Sequence, residues 1–200
     1  MGLIEITDAP QEASLQQRWS HALALIAAGL LLLFGLNRQA NALSATTPYQ
    51  NVRAGISAVY PQNWLLDEDG DYVFRVRDMS QTGFKTTMLI ETRPLGSQTR
   101  VRDILNTINI NRPLSFVAYD VLSEEQTTFG EDTQAVVLDY TFVSTEANPF
   151  LESIPTPIIG RDILTVRGNQ VIILRFLSDA STFESNLHFF EQFVGSVEFQ

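Results

Sequence analysis

The sequence predicts an α+β protein: a single N-terminal transmembrane helix, then a domain built on an antiparallel sheet of six or seven strands with helices packed against it. Three observations predict it. Residues 22–36, ALALIAAGLLLLFGL, carry no charge. Beyond residue 50, short strand-like runs are joined by turn signals such as Gly130-Glu131-Asp132 and Gly168-Asn169. The strand–helix–strand rhythm of a parallel sheet is missing, and only 99–111 and 181–195 switch to a helical period.

The apolar run extends from Trp19 to Asn37. At 1.5 Å per residue, about 20 residues cross roughly 30 Å of hydrocarbon. Trp19 suits the interface, and Arg18 and Arg38 bracket the span where their stems can snorkel. The competing reading is a cleaved signal peptide, with Ala40-Asn41-Ala42 as a small-x-small site. Against it, Glu5, Asp8 and Glu12 face only Arg18, so the leading segment is not basic. The expectation is a retained signal-anchor. Pro10 suits a first helical position, and no breaker follows before the span. A short head before one span places the large domain outside the cytoplasm, on the plasma membrane; one Arg on each flank leaves the positive-inside rule with little to decide. The expected division is a head at 1–18, a transmembrane helix at 19–37, a linker at 38–51 and an extramembrane domain at 52–200.

That domain is long enough for a real core. No cysteine is present, which excludes disulfides, thiolate metal sites and CxxCH haem attachment. Past residue 40, 11 Lys+Arg stand against 20 Asp+Glu. Such a surface repels nucleic acid and anionic lipid. Lys85 is the one lysine.

The elements follow in order. GISAVYP (55–61) reads as a strand, and DEDGD (67–71) as an acidic turn. YVFRVRD (72–78) and TTMLIET (86–92) read as antiparallel strands with one wet face. In 99–111, Val101, Leu105 and Ile108 share a helical face with Ile104 beside them, Asp103 lies in the first turn, and Asn109 to Pro113 close the helix. Residues 115–129 and 133–145 form one hairpin, and IIGRDILTVR with QVIILRFL another. Between the hairpins, EANPFLESIPTP (146–157) reads as a loop. In 181–195, Phe183, Leu187, Phe190 and Val194 form a stripe widened by Phe189 and Phe193, capped by Ser181 or Thr182; it must cover the sheet. VEF (197–199) adds a short closing segment.

Two stretches carry a resemblance. Gly55-Ile56-Ser57-Ala58-Val59-Tyr60-Pro61-Gln62-Asn63-Trp64 resembles the first strand of the photosystem II extrinsic PsbP-like proteins and their Mog1-like relatives, with its aromatic–Pro–x–x–Trp ending. The hairpin at 163–176 and the Phe-rich helix ending Phe193-Val194-Gly195-Ser196-Val197-Glu198-Phe199 are similar to that family's close. The resemblance spans about 49–200 and implies an α/β/α sandwich with a central antiparallel sheet. It implies adaptor or assembly work more often than catalysis, and it carries over no metal ligand or binding residue. The transmembrane segment departs from the family's soluble members.

Candidate sites are few. His188 stands with Glu184 four residues before and Glu191 three after, a set that could ligate a divalent metal or simply form a solvated strip. Asp67, Glu68, Asp69 and Asp71 lack the spacing of a calcium loop, since Asp78 and not Glu stands twelfth and Gly70 is not sixth; a solvated turn is the expectation. Ser57, Ser115, Ser123 and Ser178 lack a Gly-x-Ser-x-Gly setting, and Glu124-Glu125 and Glu131-Asp132 fall in hydrophilic hairpins. Tyr60 and Trp64 either line a groove or pack in the core. Phe150, Leu151, Ile154 and Ile158 either tuck against the domain or dock on a partner. Ala24-x-x-x-Ala28 is a small-xxx-small spacing suited to close helix packing.

No catalytic set, cofactor site or metal site is expected. The sequence points to a non-catalytic accessory or assembly subunit of a membrane complex, with respiratory or photosynthetic electron transport suggested by the resemblance. Its partners would be complex subunits, met through the helix (Ala24, Ala28) and the outer domain (Phe150, Leu151, Ile154, Ile158), together with the lipid bilayer; nucleic acid is not among them. The alternative is a stand-alone anchored envelope binding or assembly factor, and behind it an anchored hydrolase.

Overall fold

The computed structural model describes residues 15–43, 45–96, 100–130, 133–145 and 154–199. The chain divides into two compact units, Met1–Ala45 and Thr46–Gln200.

The first unit contains one helix, α1 (Leu15–Leu43). Its window Trp19–Leu36 is long and apolar enough to cross a membrane, and none of that window is buried. Leu23, Leu25, Leu31 and Phe34 are exposed, so the helix is apolar all round rather than along one stripe. That is the pattern of a helix whose solvent is lipid. The guanidinium of Arg38 lies over the Phe34 ring at 5.2 Å, at the end of the apolar stretch.

The second unit is a helix–sheet–helix sandwich, the fold class expected. Its strands are β1 (Thr46–Asn51), β2 (Ile56–Pro61), β3 (Leu65–Asp67), β4 (Phe74–Arg77), β5 (Thr87–Pro94), β6 (Val117–Phe129), β7 (Thr133–Ser144), β8 (Thr156–Arg167), β9 (Gln170–Asp179) and β10 (Glu198–Phe199). Its helices are α2 (Val101–Ser115) and α3 (Phe183–Ser196). A seven-stranded antiparallel sheet runs in the order β3-β4-β5-β9-β8-β7-β6, and β1-β2-β10 form a second, small sheet. The turn glycines Gly130 and Gly168 have φ of 66° and 57°, the left-handed conformation that closes the β6–β7 and β8–β9 hairpins.

Alternation along the strands sends side chains to two cores. On one face Phe74, Met88, Leu174 and Phe176 meet α3 and the small sheet. Phe74 stacks on Phe193 at 5.4 Å and Phe176 on Phe190 at 5.3 Å. Each buried Phe contributes roughly 1.5–3 kcal/mol. On the other face Leu138, Tyr140, Leu164 and Ile173 meet Ile104, Leu105 and Ile108 of α2. The Asp103 carboxylate accepts the Arg100 backbone N–H (2.8 Å), which secures the start of α2.

Four local expectations change. Residues 46–51 form β1 rather than linker, because Tyr49 anchors them: its ring lies 4.7 Å from that of Phe74, and its hydroxyl donates to Val73 O (2.8 Å). α2 does not close over Asn109–Pro113; it runs to Ser115 with Pro113 inside its last turn, where Phe116 N–H closes onto Arg112 O (2.7 Å). β5 has no clean wet face, since Thr87–Ile90 are buried on both sides where helices cover both faces of the sheet. Thr156 and the residues after it belong to β8 rather than to the loop, while 146–153 lie outside the described residues.

Candidate functional site

The face of the sheet under α2 carries a set of charges that the sequence reading missed. Register places Glu91 opposite Ile173, Asp162 opposite Arg175 and Tyr140 opposite Gly160, all on this face. Asp162 is 0 % exposed and accepts from Arg112, from Arg175 Nε (3.0 Å) and from the Tyr140 hydroxyl (3.1 Å). Arg175 Nη1 also donates to Glu91 (2.7 Å), which pairs with Arg93 at 3.3 Å. Arg112 reaches down from α2, 7 % exposed, with its guanidinium 4.0 Å over the Tyr140 ring. Gly160 makes room for that ring; a Cβ there would collide with it.

Burial opposes the charges of Asp162, Arg112 and Arg175, and their neighbours decide the outcome. Burial pushes the Asp162 carboxyl up, but Arg175 and Arg112 outweigh it and hold it below the usual aspartate value. Burial pulls both guanidiniums down, and Asp162 outweighs it, so both stay firmly charged. Burial and then Asp162 raise the Tyr140 phenol, which stays protonated. The arrangement pins α2 to the sheet. Arg112 continues the stripe of Ile104 and Ile108 at the next four-residue step, so a longer helix would have revealed it.

α2 leaves openings around itself. A groove of about 680 Å³ lies between it and β6–β7, lined by residues including Val101, Leu105, Gln126 and Val136. Another of about 460 Å³ lies toward β5 beside Glu91, Arg93 and Thr107. A pocket of about 200 Å³ adjoins the charge cluster, lined by Arg93, Asn111, Arg112, Ser115, Phe116 and Arg175 among others. The junction of α2 and β6 is apolar on the outside: Ile110, Leu114, Val117 and Leu122 are exposed, Leu114 at 83 %.

The residues singled out from sequence fall as follows. Ala24 and Ala28 are exposed on α1. Phe150 and Leu151 lie outside the described residues. Ile154 is 84 % exposed. Ile158 is a correction: in β8 it is fully buried in the α2-side core opposite Phe142, and it cannot meet a partner. Tyr60 and Trp64 are core residues, with rings 5.6 Å from Phe74 and Phe189 respectively. His188 is exposed, with Nδ1 at 2.8 Å from Ser185 O and its ring against Phe189. Among the described residues no three His, Asp or Glu side chains converge as a metal site. Asp67 is held by Arg75, which with the Asp69 N–H lowers its carboxyl to about 2. Ser178 shares its hydroxyl with Thr86, Thr182 and Asn186, and Ser123 donates to Asp139.

No family model matches the chain, and no curated protein matches its sequence. Solved structures similar in fold include the following two. Cyanobacterial PsbP (CyanoP) from Synechocystis sp. PCC 6803 is 10 % identical, covers 78 % of this chain and 94 % of its own, and superposes with a TM-score of 0.56. The Ran-binding protein Mog1p of Saccharomyces cerevisiae is 8 % identical, with 78 % and 95 % covered and a TM-score of 0.51. At these identities the likeness is one of fold, and it agrees with the resemblance read from the sequence.

Proposed function

We propose that this protein is a non-catalytic accessory or assembly subunit of a membrane complex, anchored by α1 in the plasma membrane with its α/β/α domain outside the cytoplasm. The observation that carries the reading is α1: its window Trp19–Leu36 is long, apolar and wholly unburied. A membrane tether raises the effective concentration of the domain it carries for neighbours in the same bilayer. The exposed apolar residues at the α2–β6 junction suit a protein contact, which the domain's acidic balance would not give with anionic lipid or nucleic acid. An electron-transport complex is the host we favour, on the fold's likeness to a cyanobacterial PsbP.

The 680 Å³ groove beside α2 favours a second reading, a stand-alone anchored binding or assembly factor. Ala24→Leu with Ala28→Leu separates the two. For a subunit, the bulkier face blocks helix packing and co-purifying partners are lost. Unchanged partners and retained function would support the simple anchor.

A further inference from the structure

The charges under α2 do not balance. Three guanidiniums, Arg93, Arg112 and Arg175, share two carboxylates, Glu91 and Asp162. Tyr140 is neutral, so one positive charge is left over, in a chain whose net charge is −10. Arg112 is nine-tenths buried, yet its Nη1 has no hydrogen-bond partner among the described residues. The pocket of about 200 Å³ opens where the three arginines meet. Asn111 and Ser115 add polar groups to its wall, Ile108 and Phe116 apolar ones, and no carboxylate lines it.

We propose that this pocket binds the carboxylate of a small organic acid, held by Arg93 and Arg175 with Arg112 behind them. A guanidinium fork matches a carboxylate with two parallel bonds, and the exposed Arg93 is placed to offer it, while Arg175, whose Nε and Nη2 hold Asp162 and whose Nη1 holds Glu91, adds its charge. One negative charge cancels the excess, whereas a phosphate dianion would overshoot it. Ile108 and Phe116 suit a short carbon chain, as does a volume of about 200 Å³. The carboxylate belongs either to a free acid or to the C-terminus of a partner chain.

The test uses the full chain in neutral-lipid nanodiscs, with propionate as the probe and the arginine Nε–Hε resonances as the readout. Saturable shifts at Arg112 and Arg175 with a Kd at or below about 1 mM are expected, with inorganic phosphate binding more weakly. Two variants act in opposite directions on a folded protein, as checked by thermal unfolding. Arg93→Gln removes the excess charge and weakens binding about tenfold. Glu91→Gln doubles the excess and tightens it. Absence of saturable shifts, phosphate binding as well as propionate, or both variants moving affinity the same way would overturn the proposal. A tripeptide that binds more tightly than propionate and loses binding on C-terminal amidation would assign a chain terminus; the reverse would assign a free acid, and both outcomes uphold the carboxylate site.

Discussion

Asp162 is the residue on which the α2 face depends. With it gone, Arg112 and Arg175 are left buried without their shared partner. Asp162→Asn should destabilise the domain by about 3–5 kcal/mol in denaturant unfolding, the usual cost of breaking a buried ion pair. Tyr140→Phe removes one hydrogen bond to it and should cost about 1 kcal/mol. The pH dependence follows from the same carboxyl. Its folded-state pKa is held below the unfolded value near 3.8. The pair's stabilisation is therefore fully present above that value and is lost as pH falls through the folded pKa. Unfolding free energies measured from neutral to acid pH should fall in that window, and Asp162→Asn should remove part of the slope. Gly160→Ala, whose added methyl meets the Tyr140 ring, should cost about 1–3 kcal/mol. None of this was legible in the sequence. Asp162 and Arg175 sit in strands that read as apolar, and only register brings them together with Arg112. Ile104, Leu105 and Ile108 were legible, because their helical spacing announces a buried face.

Among the elements, the hairpins read most directly. Gly130 and Gly168 mark turns whose backbone favours glycine, and the strands on either side follow. β1 escaped because a polar, proline-containing run looks like linker until Tyr49 is seen under Phe74. α2 was read one turn short because Pro113 signals a stop; within the last turn it forfeits little. The start of β6 hid an irregularity: Ala118 has φ of 53°, beside a register shift between Val117 and Asp120. A left-handed alanine costs about 1–2 kcal/mol, and glycine gives back part of that gain through its own entropy. Ala118→Gly should therefore stabilise the domain by up to about 1 kcal/mol in thermal or denaturant unfolding. A loss of stability would mean that the Ala118 methyl contributes packing that outweighs the strain.

For the whole molecule, charge and hydropathy patterning carried the architecture. Fifteen uncharged residues announced a helix able to cross a membrane, and the period changes announced an antiparallel sheet with helices against it; one helix on each face was implied by the resemblance. The working surface was much less legible. Ile158, grouped with the neighbouring loop as a partner-contact candidate, turned inward in β8, while Leu114 and Val117 turned outward at a junction that no local pattern marks. Partner contact is a property of the folded surface, and it leaves no period in the chain. The measurement that bears most directly on the account is the size of the intact protein, extracted from native membranes in mild detergent, with identification of whatever travels with it. The account predicts a stable assembly much larger than one chain, with defined membrane subunits that depart when Ala24 and Ala28 become leucine. Migration as a single 22.4 kDa chain in its micelle, with nothing bound, would contradict it.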